Sequence, residues 1–333
     1  MKCPRCLNTD AEWFYKGSRG WYCRRCIGFG RAMLAEEAQP VTLSAAAEES
    51  SEYMLKYPLT KEQAQIAARC ASLAETTDVL LHCVCGAGKT ELVVLSIAQM
   101  LKKGKKVCFA VPRRQVVLEL RDRLAQYFPR AKVIAVCGGF TTVTDGDLIL
   151  CTTHQLYRYY QAFDLLILDE PDAFPFRGDP VLHGIAASSC KGHTVYLTAT
   201  PDEELKKRVE ENTMVELVLN RRPHGHPLPV PRIIIAPSFC FIFFLLKWLA
   251  DHKKHPRIIF VPSLRTAHLL HSFLNLLMNC MIVTSQKHDK DEIIAAVRVV
   301  KGMQGVVGVH PETVGGDKDG ARSAQGEDRK SVV

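Results

Sequence analysis

The 333-residue sequence has no long apolar run and no signal segment after Met1. Its most apolar stretch, Phe239–Leu246, is followed by Lys247 and is far shorter than the roughly 18 apolar residues of a membrane-spanning helix. We expect a buried helix there and only a peripheral association, if any, with the inner face of the cell membrane. Without a secretory signal, the 13 cysteines are expected to stay reduced in the cytoplasm.

Aromatic residues and apolar periodicity are absent from the C-terminal part of the chain. The last aromatic residue is Phe273, and residues 301–333 are rich in glycine and charge. Such a segment buries too little apolar surface to offset its ordering entropy. We expect a disordered or frame-shifted tail, with a divergent natural tail as the alternative.

The composition favours a globular protein with an anionic partner. Apolar residues make up 47% of the chain, and the length suits two domains with a small appendage. The formal net charge is +8 and the isoelectric point about 8.8. A basic balance favours nucleic acid or a membrane surface as the partner, although it identifies neither.

Two CxxC pairs lie near the N-terminus, with sixteen residues between them. Four thiolates at this spacing are typical of a tetrahedral Zn²⁺ site. The intervening aromatic residues and glycine turn predict a hairpin, and the whole predicts a zinc ribbon. Either the metal only staples the fold, or the ribbon also contacts protein or nucleic acid. The predicted ligands are Cys3, Cys6, Cys23 and Cys26, and the candidate nucleic-acid contacts are Lys16, Arg19, Arg24 and Arg25.

A phosphate-binding loop is predicted at Cys83–Thr90, between an apolar strand and an amphipathic helix. Glycines at 86 and 88 allow the loop to direct its N–H groups towards an anion at the helix N-terminus. Lys89 is expected to contact the phosphates and Thr90 to hold Mg²⁺. The predicted ATP-binding residues of this segment are Gly86, Ala87, Gly88, Lys89, Thr90 and Glu91.

Apolar strands alternate with amphipathic helices after this loop, which predicts a parallel α/β sheet with its ligands at the carboxyl ends of the strands. Asp169-Glu-Pro-Asp172 follows one such strand. We expect Asp169 to hold Mg²⁺ and Glu170 to orient and deprotonate the attacking water. Pro171 disfavours helical backbone angles at Glu170, which either redirects that carboxylate or fixes an extended conformation.

Two further segments complete the predicted nucleotide site. Gln63, upstream of the loop on a helix capped by Thr60, is the candidate for reading the adenine edge, with Gln65 as the rival. Thr198 and Thr200 follow a strand and are expected to couple hydrolysis to a neighbouring domain.

Taken in order, these motifs resemble the first motor domain of a superfamily 2 helicase or translocase. The N-terminal ribbon and three longer phrases closely resemble the ComFA late-competence ATPases over residues 3 to about 298. The phrases are Thr152–Phe163, Asp172–Phe176 and His224–Pro231.

The resemblance implies an ATP-dependent motor that moves along single-stranded DNA during natural transformation. It implies ATP, Mg²⁺ and Zn²⁺ as cofactors, other competence proteins as partners, and an enzyme that hydrolyses ATP; a homo-oligomer is a further possibility. The catalytic residues it implies are Lys89, Asp169 and Glu170, and the segments expected to touch the DNA backbone include Pro112, Arg113, Thr152 and Thr153. A repair or replication-restart helicase, or a binding module without hydrolysis, are the alternatives.

Three features depart from the family pattern: Gln115 stands where an acid is expected, Pro171 interrupts the acidic segment, and the second motor domain lacks a GRxGR-like motif. We therefore expect an incomplete second RecA-like domain, with nucleotide binding kept and turnover reduced. The predicted organisation is a zinc ribbon (1–35), a linker (36–57), a RecA-like domain (58–220), a proline-rich linker (221–236), a partial second RecA-like domain (237–300) and the tail (301–333).

Overall fold

The computed structural model describes residues 1–34, 39–225, 230, 233–237, 240–252, 257–278, 280–283 and 305–309. The chain divides into two compact units, Met1–Pro229 and Val230–Val333. Of the segment predicted as a tail (301–333), only residues 305–309 are among the described residues.

The first unit is built on a seven-stranded sheet in the order β10-β4-β9-β8-β5-β7-β6, with every neighbouring pair parallel. The strands are β4 (Asp78–Cys83), β5 (Val107–Val111), β6 (Val133–Val136), β7 (Leu148–Thr152), β8 (Phe163–Asp169), β9 (Cys190–Thr198) and β10 (Met214–Leu219). The central strands are almost wholly buried because helices cover both faces. The predicted α/β class is confirmed.

Five helices connect and cover these strands: α1 (Lys61–Leu73), α2 (Lys89–Lys102), α3 (Arg114–Tyr127), α4 (Pro180–Ser189) and α5 (Glu203–Glu210). The α1 N-terminus has a capping box, in which Thr60 and Gln63 exchange side-chain and backbone hydrogen bonds. α4 begins at Pro180, and the Asp179 carboxylate accepts from the first free N–H groups. Strand β10 was not among the predicted strands; it adds to the sheet edge by pairing with β4.

The N-terminal ribbon is a small antiparallel sheet of β1 (Phe14–Gly17), β2 (Gly20–Cys23) and β3 (Ala32–Met33). It packs on α4, a helix of the seven-stranded domain, at very short range. A Cβ added at Gly184 would lie 1.9 Å from the Cys6 carbonyl oxygen. The Ser188 hydroxyl donates to the Arg5 carbonyl at 2.6 Å. The absence of a side chain at position 184 therefore allows the two backbones to approach.

The segment after the ribbon also packs on the first unit. Val41 donates its N–H to the Tyr160 carbonyl, and the Ser44 side chain donates to Asp145. Farther along, a single 3₁₀ turn forms at Glu48–Ser51. The described residues of the predicted linker therefore run along the seven-stranded domain.

The second unit contains α6 (Phe241–Asp251), α7 (Leu264–Asn275) and a parallel sheet in the order β11-β13-β12. Its strands are β11 (Ile258–Val261), β12 (Cys280–Val283) and β13 (Gly305–Val309). No ordered element was predicted after residue 302, so β13 is a correction; its three valines are β-branched and suit a strand.

Residues 241–246 of the apolar stretch form the start of α6, as a helix was predicted there, but only part of this helix is buried; residue 239 lies outside the described residues. Leu245 and Leu249 lie in the core of the second unit, whereas Phe243 is 71% exposed. Among the described residues, no helix has both the length and the apolar character needed to cross a membrane.

Substituting Gly184 with Ala is expected to loosen the ribbon from α4. Helix propensity alone favours Ala by about 1 kcal/mol, so a loss of stability would identify the clash with Cys6. We expect the free energy of unfolding to fall by about 2 kcal/mol, as measured by urea denaturation. Gly28→Ala is the control because its added Cβ meets no atom within 4 Å. Equal stability of the two variants would contradict this contact.

Candidate functional site

The predicted phosphate-binding loop connects β4 to α2 at the carboxyl edge of the sheet. Gly86 and Gly88 have φ values of +77° and +80°, a left-handed conformation that a side chain would strain. A Cβ at Gly88 would also lie 2.9 Å from the Gln63 amide nitrogen. In the first turn of α2, the Glu91 carboxylate accepts from the Tyr127 hydroxyl at 2.9 Å. The loop ends at the N-terminus of α2, and this end of a helix favours an anion.

Gln63 holds the phosphate-binding loop from α1. Its side chain is buried, its Nε2 donates to the Ala87 carbonyl at 2.8 Å, and its Oε1 accepts from the Thr60 N–H at 2.9 Å. The amide therefore fixes the loop to the first turn of α1. Adenine recognition by Gln63 stays a prediction, and its rival Gln65 lies exposed on the helix surface.

Asp169 ends β8 at the same edge of the sheet. Its Oδ1 atom is buried and has no hydrogen-bond partner among the described residues. Burial raises the pKa of this carboxyl to about 6, while the nearby charge of Lys89 acts in the opposite direction. An unpartnered carboxylate oxygen beside a phosphate-binding loop suits a hard divalent cation. The residues present therefore fit Mg²⁺, with the buried Thr90 hydroxyl on the loop as the other predicted ligand.

Glu170 has an unusual backbone conformation. Its φ is +52°, in the left-handed region, and its N–H donates to the Leu197 carbonyl at 2.9 Å. Neither an extended nor a right-handed helical conformation is present, so of the two alternatives given for the residue before Pro171 the extended conformation is not the one observed. Such a conformation costs about 1 kcal/mol or more in a non-glycine residue. It leaves the Glu170 side chain exposed beside Asp169.

Asp172 connects this acidic segment to the end of β9. Its two carboxylate oxygens accept hydrogen bonds from the hydroxyls of Thr198 and Thr200, each at 2.5 Å. The Thr200 N–H also donates to the Thr198 hydroxyl at 2.9 Å. The structure therefore brings the predicted coupling residues onto the acidic segment. Their partner was not predicted, because carboxylate–hydroxyl pairing across two strands leaves no local sequence signal.

The predicted DNA-contacting segments lie side by side at the same edge. β5 and β7 are neighbours with Val111 opposite Thr152, so Pro112 and Arg113 follow one strand where Thr153 follows the other. Arg113 is exposed, whereas Thr152 and Thr153 are buried. The Thr153 hydroxyl has no partner among the described residues. The DNA contact of these residues stays a prediction.

Arg222, which was not predicted, also reaches the phosphate-binding loop. Its Nε donates to the Cys85 carbonyl at 2.8 Å, and the guanidinium lies beside Gly86. The contact joins positions 137 residues apart, so no local pattern could have indicated it.

The four N-terminal cysteines form a compact metal site. Their sulfur atoms all lie within 4.8 Å of one another, at 3.7 Å for Cys3–Cys26 and 3.8 Å for Cys6–Cys23. Zn–S bonds of about 2.3 Å in a tetrahedron place the sulfur atoms about 3.8 Å apart, whereas a disulfide requires about 2.05 Å. Hydrogen bonding between Cys3 and Cys26 lowers the pKa of Cys3 and raises the pKa of Cys26. The donor set therefore fits Zn²⁺.

Replacing Asp169 with Asn is expected to stabilise the metal-free protein. Because the folded-state pKa is raised from 3.8 to about 6, the wild-type free energy of unfolding falls as the pH rises through this window, by about 3 kcal/mol. Asn carries no charge, so the variant does not lose stability as the pH rises. Thermal denaturation of the wild type and the variant in EDTA, from about pH 4 to pH 8, measures the difference.

The exposed Asp122 provides the control for this comparison, as Asp122→Asn. A melting temperature for Asp169→Asn below that of the wild type at neutral pH would contradict the burial cost.

Removing one zinc ligand is expected to unfold the ribbon without unfolding the seven-stranded sheet. In Cys6→Ser one thiolate is lost, and a module of this size has too small a core to fold without its metal. We expect bound zinc to fall from one ion per chain to none and hydrogen exchange to rise in residues 1–34. Cys240→Ser, outside the cluster, should retain the metal. Unchanged zinc content in Cys6→Ser would refute the assignment.

Residues 56–203 match the family described as Type III restriction enzyme, res subunit. The competence protein ComFA of Bacillus subtilis is 33% identical over 291 residues, which cover 79% of this chain and 60% of that protein. ComFA of Streptococcus pneumoniae is 34% identical over 261 residues, covering 76% and 56%. The chain thus spans less than two thirds of the length of these curated relatives.

The fold is similar to that of Dbp5 of S. cerevisiae in a structure bound to RNA and ADP BeF3. The TM-score is 0.57 at 14% identity, and the match covers 75% of this chain and 74% of Dbp5. The relatives show that the chain is similar in sequence to the ComFA competence proteins over 79% and 76% of its length, and the structural match shows a fold that it shares with Dbp5.

Proposed function

We propose that this chain is an ATP-dependent motor that moves along single-stranded DNA and assists DNA uptake in natural transformation. The observation that supports it best is the buried, unpartnered Oδ1 of Asp169 beside the charge of Lys89. A helicase-type motor requires a magnesium-binding carboxylate next to its phosphate-binding loop. The relation to the ComFA competence proteins supports the biological role.

In this mechanism each residue at the sheet edge has a separate task. The loop N–H groups and Lys89 bind the phosphates, while the Thr90 hydroxyl and the Asp169 carboxylate hold Mg²⁺. Bound Mg²⁺ would neutralise the charge that develops on the phosphates. The exposed Glu170 carboxylate orients a water molecule and accepts its proton. The Asp169 carboxylate is ionised above its pKa of about 6, so the site suits neutral pH.

Coupling between hydrolysis and DNA movement is proposed to pass through Asp172. This carboxylate holds Thr198 and Thr200, and the acidic segment that carries it also carries Asp169 and Glu170. A change in nucleotide state therefore acts on β9 through two hydrogen bonds. Arg113, at the adjoining strand end, is well placed to bind a phosphate of the DNA backbone.

The cellular setting is inferred from the relatives. We infer that the chain acts in the cytoplasm, at the inner face of the membrane, beside other competence proteins and with the option of self-association. Turnover by this chain is proposed to be slow, because the sequence has no GRxGR motif. Arginines from a second lobe stabilise the charge that develops on the transferred phosphoryl group.

A nucleotide assay with matched lysine variants tests the proposal. ATP binding and hydrolysis are measured for the wild type, Lys89→Ala and Lys102→Ala, with and without oligothymidylate. Because a charge-assisted contact is lost, Lys89→Ala should weaken ATP affinity about tenfold or more. Lys102 is exposed at the other end of α2 and serves as the control. Wild-type hydrolysis should be slow and should rise with DNA.

Three outcomes would count against this proposal. Equal ATP affinity in all three proteins would refute the nucleotide site. Rapid DNA-stimulated hydrolysis that depends on Lys89 would refute the expected slow turnover while keeping the motor. DNA affinity independent of nucleotide in both the wild type and Glu170→Gln would indicate a binding module without useful hydrolysis.

A further inference from the structure

We infer that the zinc ribbon carries a binding track for single-stranded DNA on its exposed face. The track consists of Arg24, Tyr15, Tyr22 and Arg31 on the ribbon and Tyr157 on the motor domain; we call it the tyrosine–arginine track. The inference rests on the proposed function, because it extends the DNA site of the motor onto the ribbon.

The ribbon part of the track is a row of stacked cations and rings. Tyr15 and Tyr22 are directly opposite each other on β1 and β2, so they share one face of the hairpin, with ring centroids 6.0 Å apart. The Arg24 guanidinium lies 5.4 Å from the centre of the Tyr15 ring, and the Arg31 guanidinium lies 5.3 Å from that of Tyr22. Each ring of the adjacent pair thus has its own guanidinium group on this face.

The arginines of this row are available for an anion. Among the described residues, the side chains of Arg24 and Arg31 form no ion pair and no hydrogen bond, and both residues are exposed. Tyr15 is 53% exposed. The neighbouring positions Phe14 and Cys23 point to the opposite face and are buried, so the polar face is the one left open to solvent.

A cavity joins the ribbon to the motor domain along the same line. It has a volume of about 300 Å³, and Arg5, Arg31 and Tyr157 are among its lining residues. No carboxylate lines it among the described residues. Arg5 and Arg158 both lie over the Tyr157 ring, at 5.8 Å and 5.1 Å from its centre. The cavity is therefore positively charged and aromatic.

The position of Tyr157 connects the track to the predicted DNA site. Tyr157 belongs to the 3₁₀ turn Thr153–Arg158, which directly follows Thr152 at the end of β7. A strand bound at the carboxyl ends of β5 and β7 can therefore continue past Tyr157 towards Arg31 and the hairpin.

Single-stranded DNA suits this surface better than a duplex or a protein. Guanidinium groups bind backbone phosphates, and exposed rings stack on bases that are free of a partner strand. In a duplex the base faces are already stacked, so tyrosine rings gain little. The track also presents no acceptor carboxylate that a basic protein surface would require.

Ring-deleting and ring-keeping variants of the full zinc-loaded chain test the inference. The affinity for fluorescein-labelled oligothymidylate is measured by anisotropy for Tyr15→Ala/Tyr22→Ala and for Tyr15→Phe/Tyr22→Phe. Loss of stacking on two rings should weaken binding about tenfold or more, whereas the Phe variant should stay within about twofold of the wild type. Zinc content and ATP affinity should be unchanged in both.

The charges are tested separately, with a distant control. Arg24→Gln/Arg31→Gln should reduce the slope of log affinity against log salt by about 1.4, at about 0.7 per phosphate contact on single strands. The controls Tyr53→Ala and Arg130→Gln alter exposed residues elsewhere on the first unit. Tyr53 lies against Phe128, and Arg130 precedes β6 and pairs with Glu52. Both controls should bind oligothymidylate like the wild type.

The outcomes separate this inference from the proposed function. If the wild type binds oligothymidylate and the Tyr→Ala variant binds equally well, the track is refuted and the motor proposal stands. If the wild type binds ATP but no single-stranded DNA, the DNA part of the proposed function fails as well. If the Tyr→Ala variant loses duplex and single-strand affinity equally, the surface does not select single strands and the inference is overturned.

Discussion

The predicted nucleotide site depends on one electrostatic constraint, the burial of Asp169 Oδ1 at the end of β8 without a hydrogen-bond partner among the described residues. Removing a carboxylate from water is costly, and the charge of Lys89 offsets only part of the cost, since the pKa is still raised to about 6. The sheet maintains the arrangement because β8 is paired on both sides, by β9 and by β5. The burial of this carboxylate thus lowers the free energy of unfolding, and a bound divalent cation would restore it.

The parallel sheet determines which groups can act together. Its strands all end at one edge, so the loop after β4, the acidic segment after β8 and the predicted DNA-contacting segments after β5 and β7 are neighbours there. β9 lies between β4 and β8, and its end meets Asp172 through Thr198 and Thr200. The predicted phosphate-binding, acidic and coupling residues therefore all follow strands of one sheet, which sets the spacing between them.

Local motifs were predictable from the sequence, and long-range contacts were not. The phosphate-binding loop and the CxxC pairs follow from glycine and thiol chemistry within a few residues. The approach of Gly184 to Cys6 was invisible because a glycine inside a helix reads only as a weak helix former. Arg222 contacts Cys85 across a long separation in sequence, and β13 forms by pairing with the distant β11. The left-handed conformation of Glu170 accompanies its hydrogen bond to Leu197, which is also distant in sequence.

The two faces of the ribbon have different physical tasks, and both depend on the same four thiolates. One face approaches α4 so closely that only glycine fits at position 184, which fixes the orientation of the hairpin relative to the motor domain. The other face presents Tyr15 and Tyr22 with their stacked arginines. Because such a small module has little core, bound zinc would supply the free energy that keeps both faces formed. The four thiolates can therefore affect the exposed face with Tyr15 and Tyr22 without touching the predicted nucleotide site.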